Sequence, residues 1–294
     1  MKKYREAGRI ASYVRDEGKK LVRPGASVLE VCDEVESMIM DMGGQLAFPC
    51  NICINDIAAH YSPPPNATTR IPEEAIVKVD LGVHIDGYIA DTATSVGLGF
   101  GHEQMIVTAE ECLERAIETV KPGVKASEVG GAIEGVVKRH GFKPIWNLTG
   151  HQISRYVLHT GKSIPNVSRL NGSKVKEDEV YAIEPFVTLP RAFGEVKGAE
   201  EVYIYRFHKD RSIKDENAKK LMTAIKNRFR SLPFSARWIT DELPKKDFEP
   251  AFTKLLNARN ITGYPVLMEK SGSIVAQAEH TIIVTSDGCE VTTR

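Results

Sequence analysis

The features that this sequence lacks exclude several classes of protein. It contains no run of about 18 apolar residues, so we expect no transmembrane helix and no membrane partner. Its 39 Lys plus Arg residues balance its 39 Asp plus Glu residues, whereas a dedicated nucleic-acid-binding protein would carry a basic surplus. The first residues, Met1–Glu6, open an amphipathic helix instead of the apolar stretch of a signal peptide, so we expect a cytoplasmic protein.

Cysteine is also scarce. Five cysteines in 294 residues are too few for a disulfide framework. Cys50-Asn-Ile-Cys53 matches the CxxC pattern, but no second CxxC exists to complete a zinc site. We therefore interpret these two cysteines as buried thiols on a strand.

The segment Asp80–Asp91 predicts a β-hairpin with one carboxylate in each arm. Apolar residues lead into and out of the turn Asp86-Gly87. Antiparallel pairing sets Asp80 either directly opposite Asp91 or diagonal to it, on the same face of the sheet. Directly opposed Cβ atoms lie about 4.5–5.5 Å apart, and like charges at that distance repel. We expect a metal ion to compensate, because the apolar surroundings disfavour the alternative of two solvated carboxylates. His84 is assigned to the hairpin loop as an ordinary polar residue.

The sequence repeats itself weakly at an offset of 98 residues (120 − 22). Val22-Arg-Pro-Gly25 matches Val120-Lys-Pro-Gly123, and Gly43 falls on Gly141. The same offset superimposes two helix faces with i, i+4, i+7, i+11 spacing. These faces are Val31, Val35, Met38, Met42 and Val129, Ile133, Val136, His140. We infer a duplication in which each half contains a helix, a Pro-Gly turn, a second helix and then strands.

Isolated polar residues lie in the apolar strands that follow the second helix of each half. Glu279, for example, lies within the apolar segment Ile274–Val284, where a lone carboxylate is costly to bury unless it is paired or metal-bound. Four carboxylates and one imidazole suit two divalent ions about 3.5–4 Å apart. The oxygen-rich set favours Mn, Fe, Co or Zn over a soft-metal site. The candidate ligands are Asp80, Asp91, His151, Glu184 and Glu279, with His60 and His159 nearby.

The segment between Glu184 and Glu279 is too long for one connection. Helices are predicted over Lys214–Arg230 and Phe248–Ala258, so we predict an inserted helical subdomain at 208–260. The catalytic domain then comprises 1–207 and 261–294. After the insertion, a hairpin is predicted between Gly263–Met268 and Ile274–Val284, with its turn at Ser271-Gly272.

Five motifs make the chain resemble a type 2 methionine aminopeptidase of the archaeal kind, from the pita-bread metallopeptidase superfamily. They cover nearly the whole chain and occur in the family's order. An insertion before the last motif separates type 2 from type 1, and we expect the long N-terminal extension of the eukaryotic type 2 enzymes to be absent. The resemblance implies an α+β fold of two αβ halves related by pseudo-twofold symmetry, with antiparallel sheet. The motifs are Asn55–His60, Val79–Ala93, Leu148–His151, Ile183–Phe186 and Ala278–Thr281.

The resemblance also implies the role of each site residue. Glu184 would act as general base, while His60 and His159 would contact the substrate and assist catalysis. His60 corresponds to the histidine that fumagillin-type epoxides alkylate in this family. One metal would be held by Asp91, His151, Glu184 and Glu279, the other by Asp80, Asp91 and Glu279, and the methionine pocket would be lined by Phe48, Leu158 and Tyr264.

The activity implied by the resemblance is hydrolytic removal of the N-terminal methionine from nascent proteins, with preference for a small second residue. We expect a monomer, with ribosome docking left open. One alternative is a proline-specific exopeptidase such as a prolidase or an X-Pro aminopeptidase, which usually carries an N-terminal domain for which we find no room. Another is a non-catalytic homologue that binds RNA or ribosomes, but such proteins lose the metal ligands.

Overall fold

The computed structural model describes residues 1–294, and its helices repeat once along the chain. Under the 98-residue offset α2 maps onto α4 residue for residue, and α1 ends where α3 ends. No helix combines the length and the apolar character needed to cross a bilayer. The helices are α1 (Lys2–Leu21), α2 (Val28–Asp41), α3 (Glu103–Thr119), α4 (Ala126–Arg139), α5 (Glu216–Phe229) and α6 (Lys245–Asn257), with a 3-10 helix at Ala236–Trp238.

Similar local signals begin and end the paired helices α2 and α4. The Ser27 hydroxyl accepts the Glu30 N–H at 3.4 Å, whereas in the second copy the Glu128 carboxylate accepts the Lys125 N–H at 3.1 Å. Gly43 and Gly141 follow the helices with φ of 80° and 77°, a left-handed conformation that glycine adopts without strain. The duplication inferred from the sequence is therefore present in the helices.

The strands form four antiparallel sheets. Their orders are β1-β3-β4, β11-β10-β12-β2, β13-β9-β5 and β15-β14-β8-β6-β7. Helices α1 and α2 share one hydrophobic core with β1 and β3, and α3 and α4 share another with the sheets of the second half. The strands are β1 (Gln45–Ile54), β2 (Ile57–Ala59), β3 (Ala75–Ile85), β4 (Tyr88–Leu98), β5 (Lys143–Pro144), β6 (Thr149–Ile153), β7 (Ser163–Pro165), β8 (Val180–Ile183), β9 (Phe186–Thr188), β10 (Val196–Phe207), β11 (Phe234–Ser235), β12 (Ile261–Glu269), β13 (Val275–Gln277), β14 (His280–Val284) and β15 (Cys289–Val291).

The hairpin β3–β4 has a two-residue turn. Asp86 and Gly87 both have positive φ, 51° and 84°, as a type I′ turn requires. The register pairs Asp80 with Ala93 and Gly82 with Asp91. Asp80 and Asp91 are therefore diagonal neighbours on one face, which decides between the two arrangements that the sequence left open.

In the second half, two paired strands are interrupted side by side. The segment that contains β8 and β9 runs antiparallel to the segment that contains β13 and β14. β8 pairs with β14 and β9 pairs with β13, and each segment is interrupted once between its two strands. Glu184 and Pro185 occupy one interruption, and Ala278 and Glu279 occupy the other. Both glutamates thus lie where the ladder changes from one sheet to another.

The hairpin predicted between Gly263–Met268 and Ile274–Val284 is wrong. β12 pairs with β10 and β2, whereas β13 pairs with β9. Gly272 does have a positive φ of 76°, but the Glu269 side chain accepts the N–H groups of Ser271 and Ser273. The turn at Gly272 is present, but β12 before it and β13 after it belong to different sheets.

The helices α5 and α6 lie between β10 and β12, as predicted, and pack on each other. Their buried residues form a hydrophobic cluster with Phe234 and Ile261. We call residues 208–260 the insert; its boundaries and its independence as a subdomain remain a prediction.

His84 lies on β3 and not in a loop, which corrects the assignment made from the sequence. It is 6% exposed, and its Nδ1 accepts the Gly87 N–H at 3.1 Å, so the ring closes the hairpin turn. Burial lowers the pKa of His84 to about 4. The folded state therefore favours the neutral ring.

We predict that His84→Asn reduces the acid sensitivity of folding. Because the pKa of His84 is lower in the folded than in the unfolded chain, its contribution is fully present above about pH 6.5 and is lost as the pH falls toward 4. That contribution is about 2–3 kcal/mol. Asparagine can accept the Gly87 N–H without titrating. Urea unfolding of both proteins at pH 7 and pH 4.5 measures the effect, and an equal loss in both would contradict it.

Candidate functional site

All ten site residues predicted from the sequence line one cavity between the two halves. Four further residues also line it: Asn51, Ala59, Ile204 and Pro233. Asn51 pairs with Asp80 across β1 and β3 and could have been noticed as a lone amide in an apolar strand. The ten predicted residues are Phe48, His60, Asp80, Asp91, His151, Leu158, His159, Glu184, Tyr264 and Glu279.

Five polar residues form what we call the floor of the cavity: Asp80, Asp91, His151, Glu184 and Glu279. Their atoms have the spacing of a metal site. His151 Nε2 lies 3.5 Å from Asp91 Oδ2 and 3.4 Å from Glu184 Oε1. Ligand atoms of Asp91, His151 and Glu279 all lie within 4.8 Å of one another. Two atoms bound to a common ion at about 2.0–2.2 Å are roughly 3–3.5 Å apart. These residues can therefore hold a divalent ion.

The raised pKa values of the buried carboxylates in the floor also favour a bound cation. Burial raises the pKa of Asp80 to about 7. Burial, and after it the neighbouring carboxylates, raise the pKa values of Asp91, Glu184 and Glu279 well above their usual range. Asp80 Oδ1 is buried without a hydrogen-bond partner. An unpartnered oxygen among mutually repelling carboxylates fits a metal ligand better than a structural hydrogen-bond network.

Hydrogen bonds between the halves fix the backbone beneath these carboxylates. The Thr281 hydroxyl accepts the Asp91 N–H at 2.7 Å and donates to the Asp91 carbonyl at 2.8 Å. The Thr92 hydroxyl donates to the Glu279 carbonyl at 2.8 Å, and the Glu279 N–H donates to the Ala93 carbonyl at 3.0 Å. β4 of the first half is thus joined to the interruption that carries Glu279.

Gln277 is a polar residue of this region that sequence reasoning missed. Its Nε2 donates to Glu279 Oε2 at 3.2 Å. The Ser95 hydroxyl binds the backbone of Gln277 twice: it donates to the Gln277 carbonyl at 2.7 Å and accepts the Gln277 N–H at 2.8 Å. The signal was available, because Gln277 stands two residues before Glu279 and so on the same face of an apolar segment.

The protonation of His60 follows from its contact with the backbone. Its Nδ1 lies 3.3 Å from the Pro265 carbonyl, which can only accept, so Nδ1 carries the proton and Nε2 is the acceptor. Burial lowers the pKa of His60 to about 4, so the ring is neutral at pH 7. The His159 ring lies 4.1 Å from that of His151, and Tyr264 lies beside both His60 and His159.

The apolar side of the cavity is built from separate parts of the chain. Phe48 of β1 and Leu158 share one hydrophobic cluster with Leu232 of the insert. The Phe48 ring lies over Gly82, where an added Cβ would be 2.2 Å from its Cε1 atom. A glycine at this position of β3 therefore allows the ring to reach its place.

Comparisons with known proteins bear on this geometry. A family model described as metallopeptidase family M24 matches residues 2–286. Methionine aminopeptidases of Pyrococcus horikoshii and Methanocaldococcus jannaschii are each 44% identical over 289 residues, 98% of this chain and 97% of the relative. Among solved structures, a thermophilic Arx1 has a TM-score of 0.86 at 19% identity, with 99% of this chain and 89% of that chain covered. A methionine aminopeptidase from Rickettsia prowazekii has a TM-score of 0.69 at 22% identity, with 99% and 96% covered.

We predict that Thr281→Val weakens metal binding 10- to 100-fold, the usual cost of losing an outer partner of a ligand. The variant keeps the shape of the side chain but leaves the Asp91 N–H without its acceptor. Titration of chelator-treated protein with Mn or Co in competition with a chromophoric chelator measures the affinity. Thr223→Val, which removes an exposed hydroxyl bonded to the Lys219 carbonyl, is the matched control. Equal affinities in the two variants would contradict the prediction.

Proposed function

Because the chain belongs to metallopeptidase family M24, we propose that it removes the N-terminal methionine from proteins and peptides by metal-dependent hydrolysis. The observation that carries this proposal is the cavity, in which a floor of carboxylates and histidine adjoins an apolar wall. The relatives named methionine aminopeptidase, 44% identical over nearly the full length of both chains, support the same reaction.

We assign two divalent ions to the floor. Asp91, His151, Glu184 and Glu279 would hold one, while Asp80, Asp91 and Glu279 would hold the other, so Asp91 and Glu279 serve both. The oxygen-rich donor set suits Mn, Fe, Co or Zn. Such ions supply Lewis-acid chemistry, by which a carbonyl is polarised and a water molecule becomes easier to deprotonate.

The side chains around the floor carry the proton transfers. Glu184 accepts the proton of the water that attacks the carbonyl of the methionine residue, and can return it to the leaving amine. His159, an exposed residue of the cavity lining, donates a hydrogen bond to the carbonyl side and the developing oxyanion. His60 Nε2 accepts a hydrogen bond from the scissile N–H. In this tautomer His60 orients the amide, so the proton that the leaving amine needs comes from Glu184.

The remaining walls supply specificity. Phe48, Leu158 and Tyr264 form the pocket for the methionine side chain, and we place the free amino terminus of the substrate on the side of Asp80. A small second residue is preferred. We further propose that the substrates are nascent polypeptides in the cytoplasm and that the protein acts as a monomer, with ribosome docking as a separate question for co-sedimentation.

The two rivals separate on simple measurements. A proline-specific exopeptidase would use the same five ligands, so cleavage of Met-Gly-Xaa but not Xaa-Pro peptides decides between them. A non-catalytic homologue would lack the ligands, and all five ligand types are present here. The metal content of the purified protein distinguishes that case.

We predict that Asp80→Ala and Glu279→Ala each lower kcat/KM on a Met-Gly peptide by more than about 100-fold, beyond the cost of losing an outer-shell partner. Each variant removes a side chain of the metal floor while leaving the surrounding hydrogen bonds between the halves. A metal-defined assay with thermal unfolding as a check on folding measures this. Asp241→Ala, at an exposed position, is the control. Near-normal turnover of either floor variant would rule out the site assignment.

A second prediction concerns the reactivity of His60. Because its Nε2 is an unprotonated acceptor in the cavity, a fumagillin-type epoxide should alkylate it by opening of the epoxide ring. Mass spectrometry of a proteolytic digest should place the adduct on His60. Labelling should disappear in His60→Asn and persist in His159→Asn. An adduct on His159, or none in the wild-type protein, would count against the assigned tautomer and position.

A further inference from the structure

Glu36 of α2 is a buried carboxylate outside the cavity. The side chains of Glu36 and Arg237 are only 5% and 8% exposed. Arg237 Nη1 donates to Glu36 Oε2 at 2.6 Å and Nη2 donates to Oε1, so the pair is bidentate. Trp238 Nε1 donates to Oε2 at 2.8 Å, and the Cys50 N–H donates to Oε1 at 3.0 Å. Four hydrogen bonds from β1 and from the insert thus converge on one carboxylate.

On the side of β1, Glu36 supports a β-bulge. Phe48 pairs with Gly82 and Asn51 with Asp80, so β1 has one extra residue between these pairs. In a regular strand, residues three apart face opposite ways, but here Phe48 and Asn51 both line the cavity. The Cys50 N–H lies within the bulge, and Glu36 is its acceptor. Glu36 therefore holds the backbone shape that directs Phe48 into the cavity.

On the side of the insert, the same carboxylate holds the segment that completes the apolar wall. Leu232 is 2% exposed and packs in one cluster with Phe48 and Leu158, and Pro233 lines the cavity. Phe234 and Ser235 pair with Tyr205 and Ile204 of β10, and Arg237 lies two residues after Ser235. The ion pair thus fixes the end of a short segment whose beginning is part of the pocket.

A second cavity lies between α2 and the insert. A cavity of about 840 Å³ opens beside the ion pair, with Asp33 and Met40 of α2 on one side and Phe229 of α5 on the other. Arg237 Nη1 also donates to Asp33 at 3.1 Å. The polar contacts of Arg237 and Trp238 with Glu36 and Asp33 thus bridge α2 and the insert beside this cavity.

We propose that the Glu36–Arg237 ion pair is a positioning device for the methionine pocket. It ties the bulge that carries Phe48 to the segment that carries Leu232 and Pro233, and so sets the width of the pocket between them. Neither residue lines the cavity that holds the predicted site residues, so both act through the residues they hold. This inference rests on the proposed function.

The test is the discrimination between methionine and a differently shaped side chain. For Arg237→Met holoenzyme, we expect KM on a Met-Gly peptide to rise about 10-fold with little change in kcat, because binding energy of the pocket is lost. The ratio of kcat/KM for Met-Gly over Leu-Gly peptides should fall about 10-fold, the scale on which a hydrophobic pocket distinguishes one methylene. Arg237→Lys keeps the charge but not the bidentate geometry, so its Met-Gly to Leu-Gly ratio should lie between those of the wild type and Arg237→Met.

The selectivity ratio separates positioning from mere destabilisation. A variant that is only partly folded loses activity equally on both peptides, so an unchanged ratio in folded Arg237→Met overturns the proposal. If that variant does not fold, Glu36→Gln combined with Arg237→Met is measured in its place, since it leaves no buried charge unpaired. Arg228→Gln, which breaks an ion pair with Glu242 inside the insert, is the matched control and should keep the wild-type ratio.

A second variant tests the packing behind the wall. Leu232→Ala removes a side chain that packs in one cluster with Phe48 and Leu158, so it should let the pocket widen and raise the relative kcat/KM for a peptide that begins with phenylalanine. No change in that preference would also overturn the proposal, because the insert would then not bound the pocket. Wild-type protein that cleaves neither Met-Gly nor Leu-Gly peptides would instead refute the proposed function, so the two failures are distinguishable.

Discussion

Four carboxylates share one buried cavity, and the rest of the structure holds them there against desolvation and mutual repulsion. Burial and like charge raise the pKa values of Asp91, Glu184 and Glu279, so protonation or separation of these carboxylates would relieve their repulsion. The reciprocal Thr281–Asp91 hydrogen bonds join the two halves beside the cluster and oppose that separation. A cation between the carboxylates would stabilise their charged form, which would link the folding of the cavity to its chemistry.

The two halves supply their acids by different means, although their helices repeat. In the first half, Asp80 and Asp91 are diagonal positions of an unbroken hairpin. In the second half, Glu184 and Glu279 lie where two paired strands are interrupted together, so neither carboxylate has to emerge from a continuous ladder. The duplication therefore explains the scaffold but not the site. His151 comes from the second half alone and makes the centre asymmetric.

Local signals account for what could be predicted from the sequence. The Asp86-Gly87 turn, the periodic helix faces and the polar residues in apolar strands each depend on neighbours in the chain. The wrong hairpin after the insert shows the limit, because the turn at Gly272 exists while β12 and β13 find partners elsewhere. Glu36 shows the same limit of sequence-based prediction, because in the sequence it has the pattern of an ordinary charged residue on an amphipathic helix. Its burial depends on Arg237, 201 residues away in sequence.

The contrast between local signals and contacts of distant residues also explains why the fold by itself does not fix the reaction. The Arx1 and Rickettsia structures share the fold at only 19% and 22% identity, and a shared fold can carry different chemistry in its cavity. Carboxylates around an ion are held by directional bonds. Apolar walls are not, because hydrophobic contact has no preferred direction. Phe48, Leu158 and Pro233 come from three separate segments, so polar bonds outside the pocket can set their spacing. The hydrogen bonds of Glu36 join two of those three segments, which is why a residue that does not line the cavity can govern what the cavity selects.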